Sequence, residues 1–228
     1  MSIADKKSEV EQMMIEACKR SNRQIDDVNM IAVTKYASLE TTKSVLDHHM
    51  LHIGESRWQD AKSKWEQLAD RGTWHFIGHL QSNKAKDVVG KFDYIHSLDR
   101  ISLADAIEKR AAQLDITVNC FVQVNVSGEA AKQGIAPEQC AEFCQSLLAY
   151  RHLNICGLMT MAPLDENTEN SRDVFRGLRQ LRDELNQKAI FNQPIHHLSM
   201  GMSNDFQVAI EEGATWVRIG TRLVGKEE

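Results

Sequence analysis

Short apolar runs punctuate the chain at 30–35, 51–54, 74–78, 92–97, 119–126, 153–160, 195–200 and 215–220. Runs of this length, bounded by polar turns, predict strands with both faces covered. Longer amphipathic stretches lie between them, among them "ETTKSVLDHHM", "SRWQDAKSKWEQLADRG", "ISLADAIEKRAAQLD", "PEQCAEFCQSLLAYR" and "SRDVFRGLRQLRDELNQKA". In the last, Leu178, Leu181 and Leu185 recur at helical spacing. A helix is predicted after each of the first seven runs, and only "RLVGKEE" follows the eighth. One more, at roughly 3–22, precedes the first run.

Repeated strand–helix units imply a parallel sheet with right-handed crossovers. Eight of them in this length predict an α/β fold of the (β/α)8 barrel type, with the N-terminal helix taking the place of the missing outer helix. A doubly wound open sheet is the alternative. With only three prolines and no low-complexity linker, residues 1–228 are expected to form one domain.

Composition narrows the function classes. Of 228 residues, 42% are hydrophobic and 26% charged, and the net charge is −5. Nothing here favours nucleic acid or an anionic membrane as partner. The opening "MSIADKKSEVEQMMIEACKRS" lacks the apolar core of a signal peptide, and its acids argue against a transit peptide. No run is long enough to span a bilayer. The five cysteines form no CxxC pair, so they are expected as reduced thiols in the cytoplasm, with Cys140 and Cys144 packed on one helix face.

In a barrel of this kind, ligands sit at the C-terminal strand ends, and phosphate often binds near strands seven and eight. Lys35 ends the first run, on the same face as Val33. A lysine there either snorkels to solvent or serves as a nucleophile toward carbonyls, forming a Schiff base. Strand seven closes on "HHLSMGMSNDF", in which Ser199 and Ser203 flank Gly201 and Ser203 is a candidate helix N-cap. Strand eight closes on "WVRIGTRLVG", offering Gly220 and Thr221. Glycines and hydroxyls at a helix start suit an anion, so these two ends form a candidate phosphate cup.

Trp216, Arg218 and Gly220 share one strand face. Arg218 would either pair with an acid such as Glu55 or Asp99, or face a ligand. His75 is expected as a satisfied core histidine. His79, Gln81, Asn83 and Lys84 fall at the mouth, as ligand contacts or as a solvated loop. The pairs His48–His49 and His196–His197 lack the partners of a metal site, and no metal is expected. Lysine, cup and arginine together fit a phosphorylated carbonyl compound, either a Schiff-base aldolase substrate or pyridoxal 5′-phosphate (PLP).

At these residues the sequence resembles the YggS/PROSC family, the pyridoxal phosphate homeostasis proteins. The resemblance is carried by "AVTKYAS", "HFIGHLQSNK", "QVNVSGEAAKQG", "GLMTMAP", "LSMGMSNDFQVAIEEGAT" and "VRIGTRLVG", in that order. It implies a single barrel similar to the N-terminal domain of alanine racemase, as in fold-type III PLP proteins. It implies PLP carried on Lys35 as a Schiff base, its phosphate held by Ser199, Gly201, Ser203, Gly220 and Thr221, with Arg218 by the ring nitrogen or the phosphate. The family usually has Asn and Val at Ser56 and Trp58, Glu at Asp60 and Pro at His79; Ser56 and His79 lie at the expected mouth, beside the cofactor.

A racemase needs acid/base groups on both faces of the substrate carbon. In alanine racemase-like enzymes one comes from a second domain, for which the seven residues after Thr221 leave no room. Arginine stays protonated and cannot protonate a ring nitrogen, which weakens PLP as an electron sink. The expectation is therefore storage, buffering or delivery of PLP without robust catalysis. The partners implied are PLP and apo-forms of PLP enzymes, and a monomer is expected. The rival reading is a weak amino-acid racemase or related PLP enzyme with Tyr36 or His79 as base.

Overall fold

The computed structural model describes every residue except Ala130, Leu164, Glu166 and 226–228. Among the described residues, eight strands close a parallel barrel in chain order: β1 (Asn29–Val33), β2 (His52–Glu55), β3 (Thr73–Phe76), β4 (Tyr94–Leu98), β5 (Val118–Gln123), β6 (Leu153–Met159), β7 (His197–Met202) and β8 (Trp216–Ile219). Closure pairs Asn29 with Trp216 and Ala32 with Ile219, which excludes the open-sheet alternative. Every predicted strand is present.

Helix α1 (Ile3–Arg20) leads into β1. Ser2 starts it through a reciprocal box: its hydroxyl accepts from the Asp5 amide while Asp5 accepts from the Ser2 amide. The outer ring continues as α2 (Leu39–Asp47), α3 (Trp58–Leu68), α4 (Ala85–Val88), α5 (Ile101–Leu114), α6 (Cys140–Leu147), α7 (Arg172–Gln187) and α8 (Phe206–Glu211). The eighth strand does have a helix of its own, α9 (Thr221–Val224), a single turn that sequence periodicity is too short to reveal. Helix α1 packs on α8 and α9, and Arg23 ties the chain there by donating to the Ile210 and Ala214 carbonyls. Cys140 and Cys144 are buried free thiols on α6, their sulfurs 4.0 Å apart. Among the described residues no helix is long and apolar enough to cross a membrane.

Strand alternation sorts side chains into two cores. Ala32, Ile53, Trp74, Phe76, Ile95, Val122, Leu198 and Val217 face the helices. Ile31, Phe121, Met159 and Trp216 fill the barrel, with Tyr94, Cys156 and Met161 beside them. The same alternation sends His75, His96 and Arg218 inward, and all three are buried. His75 is a satisfied core histidine, bonded through both ring nitrogens.

Burial lowers the proton affinity of His75 and His96 well below the ordinary histidine range, each reinforced by its neighbouring imidazole. Both fold neutral and charge on unfolding, so the stability they contribute is complete above their unfolded pKa of about 6.5 and is lost as pH falls below it. Glu55, pushed up by burial, acts in the opposite sense. The histidines dominate over the one carboxyl, so stability is expected to fall as pH drops from about 6.5 toward 5. Urea unfolding across that window measures it; a flat profile contradicts neutral burial.

Candidate functional site

Strand β1 stops at Val33, two residues before the predicted end. Lys35 therefore sits in the turn that follows, half-buried. Its amine makes no hydrogen bond or ion pair among the described residues. It lies 5.0 Å from the ring centroid of Tyr36, whose side chain is 77% exposed. The turn is held from behind. Lys64, on α3, donates to the carbonyls of Thr34 (2.8 Å) and Ala37 (3.3 Å). Its charge is met by Glu55 at 2.6 Å, and the Thr34 hydroxyl donates to the same carboxylate oxygen at 2.6 Å. Both ends of the lysine turn are thus fixed by one buried ion pair. Sequence reasoning missed it because Lys64 reads as a solvated position on an amphipathic helix.

Arg218 pairs with neither acid proposed for it. Glu55 is taken by Lys64, and Asp99 by Arg100 at 2.6 Å. Arg218 instead donates to the Ser199 hydroxyl (2.7 Å) and the Thr160 carbonyl (3.0 Å). Burial pulls its pKa down to about 10, against a through-space pull upward from Asp205, so it stays charged at neutral pH. Ser199 is fully buried and bonds His96 Nδ1 at 2.9 Å. It supports the arginine from inside the barrel.

The ends of β7 and β8 are laced together. Ser203 lies in the turn after β7, and its hydroxyl accepts from the Gly220 amide at 3.1 Å. Helix α8 opens at Phe206, with Asp205 at the N-cap position, so the predicted capping role of Ser203 is corrected. Asp205 accepts from the Met202 amide instead. Gly201 (φ +90°) backs onto α8, where a Cβ would come within 2.5 Å of the Ala209 Cβ. Its glycine is required by helix packing and backbone sign. No protein acceptor meets the amides of Ser203, Asn204, Thr221 or Arg222 among the described residues. Four unused N–H groups at two adjoining strand ends suit a phosphate. Gly220 joins this cup to the lysine strand, because a Cβ there would sit 3.5 Å from the Val33 Cβ.

The predicted set therefore divides. Lys35, Ser203, Gly220 and Thr221 cluster where β1, β7 and β8 meet, with Arg218 and Ser199 inside the barrel. Ser56 and His79 line a separate cleft of about 450 Å³ over β2 and β3. His79 also borders an open polar cleft of about 710 Å³ with Gln81, Asn83, Asp99, Arg100 and Lys132. Among the described residues no three metal-binding side chains converge.

The closed parallel barrel defines the fold, and comparison with known proteins gives its family. Residues 15–228 match the family described as the N-terminal domain of alanine racemase. An alanine racemase of Clostridium difficile has the same fold (TM-score 0.73, 13% identity), the chain covering 56% of it. Over its full length the chain is 42% identical to the whole pyridoxal phosphate homeostasis protein of Aquifex aeolicus. It is 36% identical to that of Pseudomonas aeruginosa, covering 96% of it. PipY of Synechococcus elongatus, solved with PLP bound, superposes with TM-score 0.85 at 33% identity, over 98% of this chain and 100% of that one. The chain belongs to the family of pyridoxal phosphate homeostasis proteins.

Replacing Lys64 by Met strands the buried Glu55 charge and is expected to destabilise the fold by about 3–5 kcal/mol. Adding Glu55→Leu is expected to recover most of that loss, because a matched apolar pair tolerates the site. The Ala37 amide, which bonds the Thr34 carbonyl, should exchange faster with solvent in both variants. Urea unfolding and amide exchange check this; unaltered Ala37 exchange contradicts the clamp.

Proposed function

We propose that this protein holds PLP as a Schiff base on Lys35 and stores, buffers or delivers it rather than turning over substrate. One observation carries the reading. Among the described residues, a lysine amine with no hydrogen bond or ion pair follows β1, and four backbone amides with no protein acceptor lie at the ends of β7 and β8, the latter paired with β1, on a frame fixed by buried contacts. PLP brings an aldehyde for the amine and a phosphate for the amides. PipY, a full-length structural relative, is described with PLP bound.

Each residue has a task. Lys64 and Glu55 hold the turn so that the Lys35 amine projects from it. Ser203 fixes the Gly220 end, and Thr221 adds a hydroxyl to the free amides. Arg218 presents a permanent cation toward the cofactor's ring or phosphate. A fixed cation discourages a proton on a ring nitrogen, which limits PLP as an electron sink and favours carriage over carbanion chemistry. The recipients are apo-forms of PLP-dependent enzymes, and the carrier works as a cytoplasmic monomer. Its five free thiols suit a reducing compartment.

Protein mixed with PLP and freed of excess is expected to be yellow, to lose that colour on borohydride reduction, and to keep a stoichiometric label. Lys35→Ala should abolish both colour and label. A yellow species that persists unchanged in Lys35→Ala refutes the assignment. Turnover across an amino-acid panel would move the reading to a racemase or related enzyme.

A further inference from the structure

Three histidines on successive strands form a line through the barrel. His52 Nδ1 lies 3.1 Å from His75 Nε2, and His75 Nδ1 lies 3.0 Å from His96 Nε2. His96 Nδ1 lies 2.9 Å from the Ser199 hydroxyl, which also receives the Arg218 bond at 2.7 Å. One end is therefore a buried guanidinium. The other opens into a cleft at the N-terminal end of the barrel, where His52 lies among Asn29, Met30 and Met50.

Arg218 sets the direction of the line. A guanidinium only donates, so Ser199 must accept from it. The one acceptor left for the Ser199 hydroxyl hydrogen, among the described residues, is His96 Nδ1. His96 then carries its proton on Nε2 and donates to His75 Nδ1. His75 likewise donates from Nε2 to His52 Nδ1, and the line ends at His52, which borders the basal cleft. All three rings are neutral and share one tautomer. An imidazolium at any rung would leave two donors facing each other.

The direction has an electrostatic consequence. In this tautomer each imidazole turns its lone pair, the negative end of its dipole, toward Arg218. The positive end lies at His52, beside the basal cleft. Hydrogen bonds chained in a low dielectric polarise one another. The rings are also held in place, His75 stacked on Tyr94 at 4.7 Å and 4°, and His96 on Phe121 at 4.3 Å and 17°. The nearby carboxylates do not contact the line. Asp205 acts on Arg218 only through space and is bonded to the Met202 amide. Asp93 acts on His52 through space and accepts from the Trp74 amide.

We propose that His52, His75 and His96 are positioning residues that stand in for the missing counter-ion of Arg218, as a one-directional ladder of neutral imidazoles. A carboxylate partner would neutralise the guanidinium. The ladder fixes its orientation through Ser199 and leaves its charge for the ligand. The ligand part of this inference rests on the PLP reading; the ladder does not.

The test uses ligand-free, 15N-labelled full-length protein at neutral pH. Long-range proton–nitrogen correlation is expected to show His52, His75 and His96 all as Nε2–H tautomers. Any of the three as Nδ1–H or as a charged ring overturns the proposal. In Arg218→Met the direction is no longer imposed, and an Nδ1–H population should appear at His96; an unchanged spectrum from folded variant also overturns it. A third arm works from the basal end. His52→Phe removes the last acceptor and is expected to weaken PLP binding about two- to ten-fold, the worth of one neutral hydrogen bond, while His52→Gln restores it. Equal affinities for Phe and Gln variants contradict transmission along the ladder. Wild-type protein that fails to bind PLP refutes the proposed function alone, and the tautomer spectrum still decides the ladder.

Discussion

A charged guanidinium inside a parallel barrel constrains everything around it. Arg218 is buried and has no carboxylate at contact distance among the described residues. An isolated charge in such a place costs several kcal/mol unless hydrogen bonds replace its water. The barrel interior is arranged to supply them. A β6 carbonyl end, a β7 hydroxyl and a line of imidazoles from β2, β3 and β4 converge on one β8 side chain. The polar residues of the interior make sense as that solvation, and not as scattered exceptions to an apolar core.

Three cations near the β1 end are handled in three ways, and the differences assign their tasks. Lys64 meets a carboxylate and is spent on structure, clamping the backbone on either side of Lys35. Arg218 meets neutral dipoles, so it remains a charge held in a fixed direction. Lys35 meets no polar partner among the described residues and keeps its amine for chemistry. Were Glu55 to pair with Arg218, Lys64 would be stranded and the lysine turn would lose its anchor. The observed pairing satisfies both demands at once.

Much of this was legible in the chain. The eight apolar runs mark the eight strands because strands buried on both faces need continuous apolar sequence. Strict alternation along β8 places Arg218 inside. The errors are local and have physical causes. Lys35 falls one turn outside its strand because pairing ends at Val33. Ser203 yields the cap position to Asp205 because its hydroxyl is engaged with the Gly220 amide. Ser199 and Gly201, expected in the cup, also serve the barrel interior and the packing of α8. The Lys64–Glu55 clamp and the histidine line depend on register between elements that are far apart in sequence. A single sequence carries only a faint sign of them, in histidines at inward positions of consecutive strands.

The central claim is a covalent one, that PLP is carried on Lys35. It is tested most directly by reducing the PLP-loaded protein with borohydride, digesting it and locating the adduct by mass spectrometry. The account predicts one adduct per chain, on the peptide that contains Lys35. An adduct absent from that peptide, or spread over surface lysines such as Lys62 and Lys84, would contradict it.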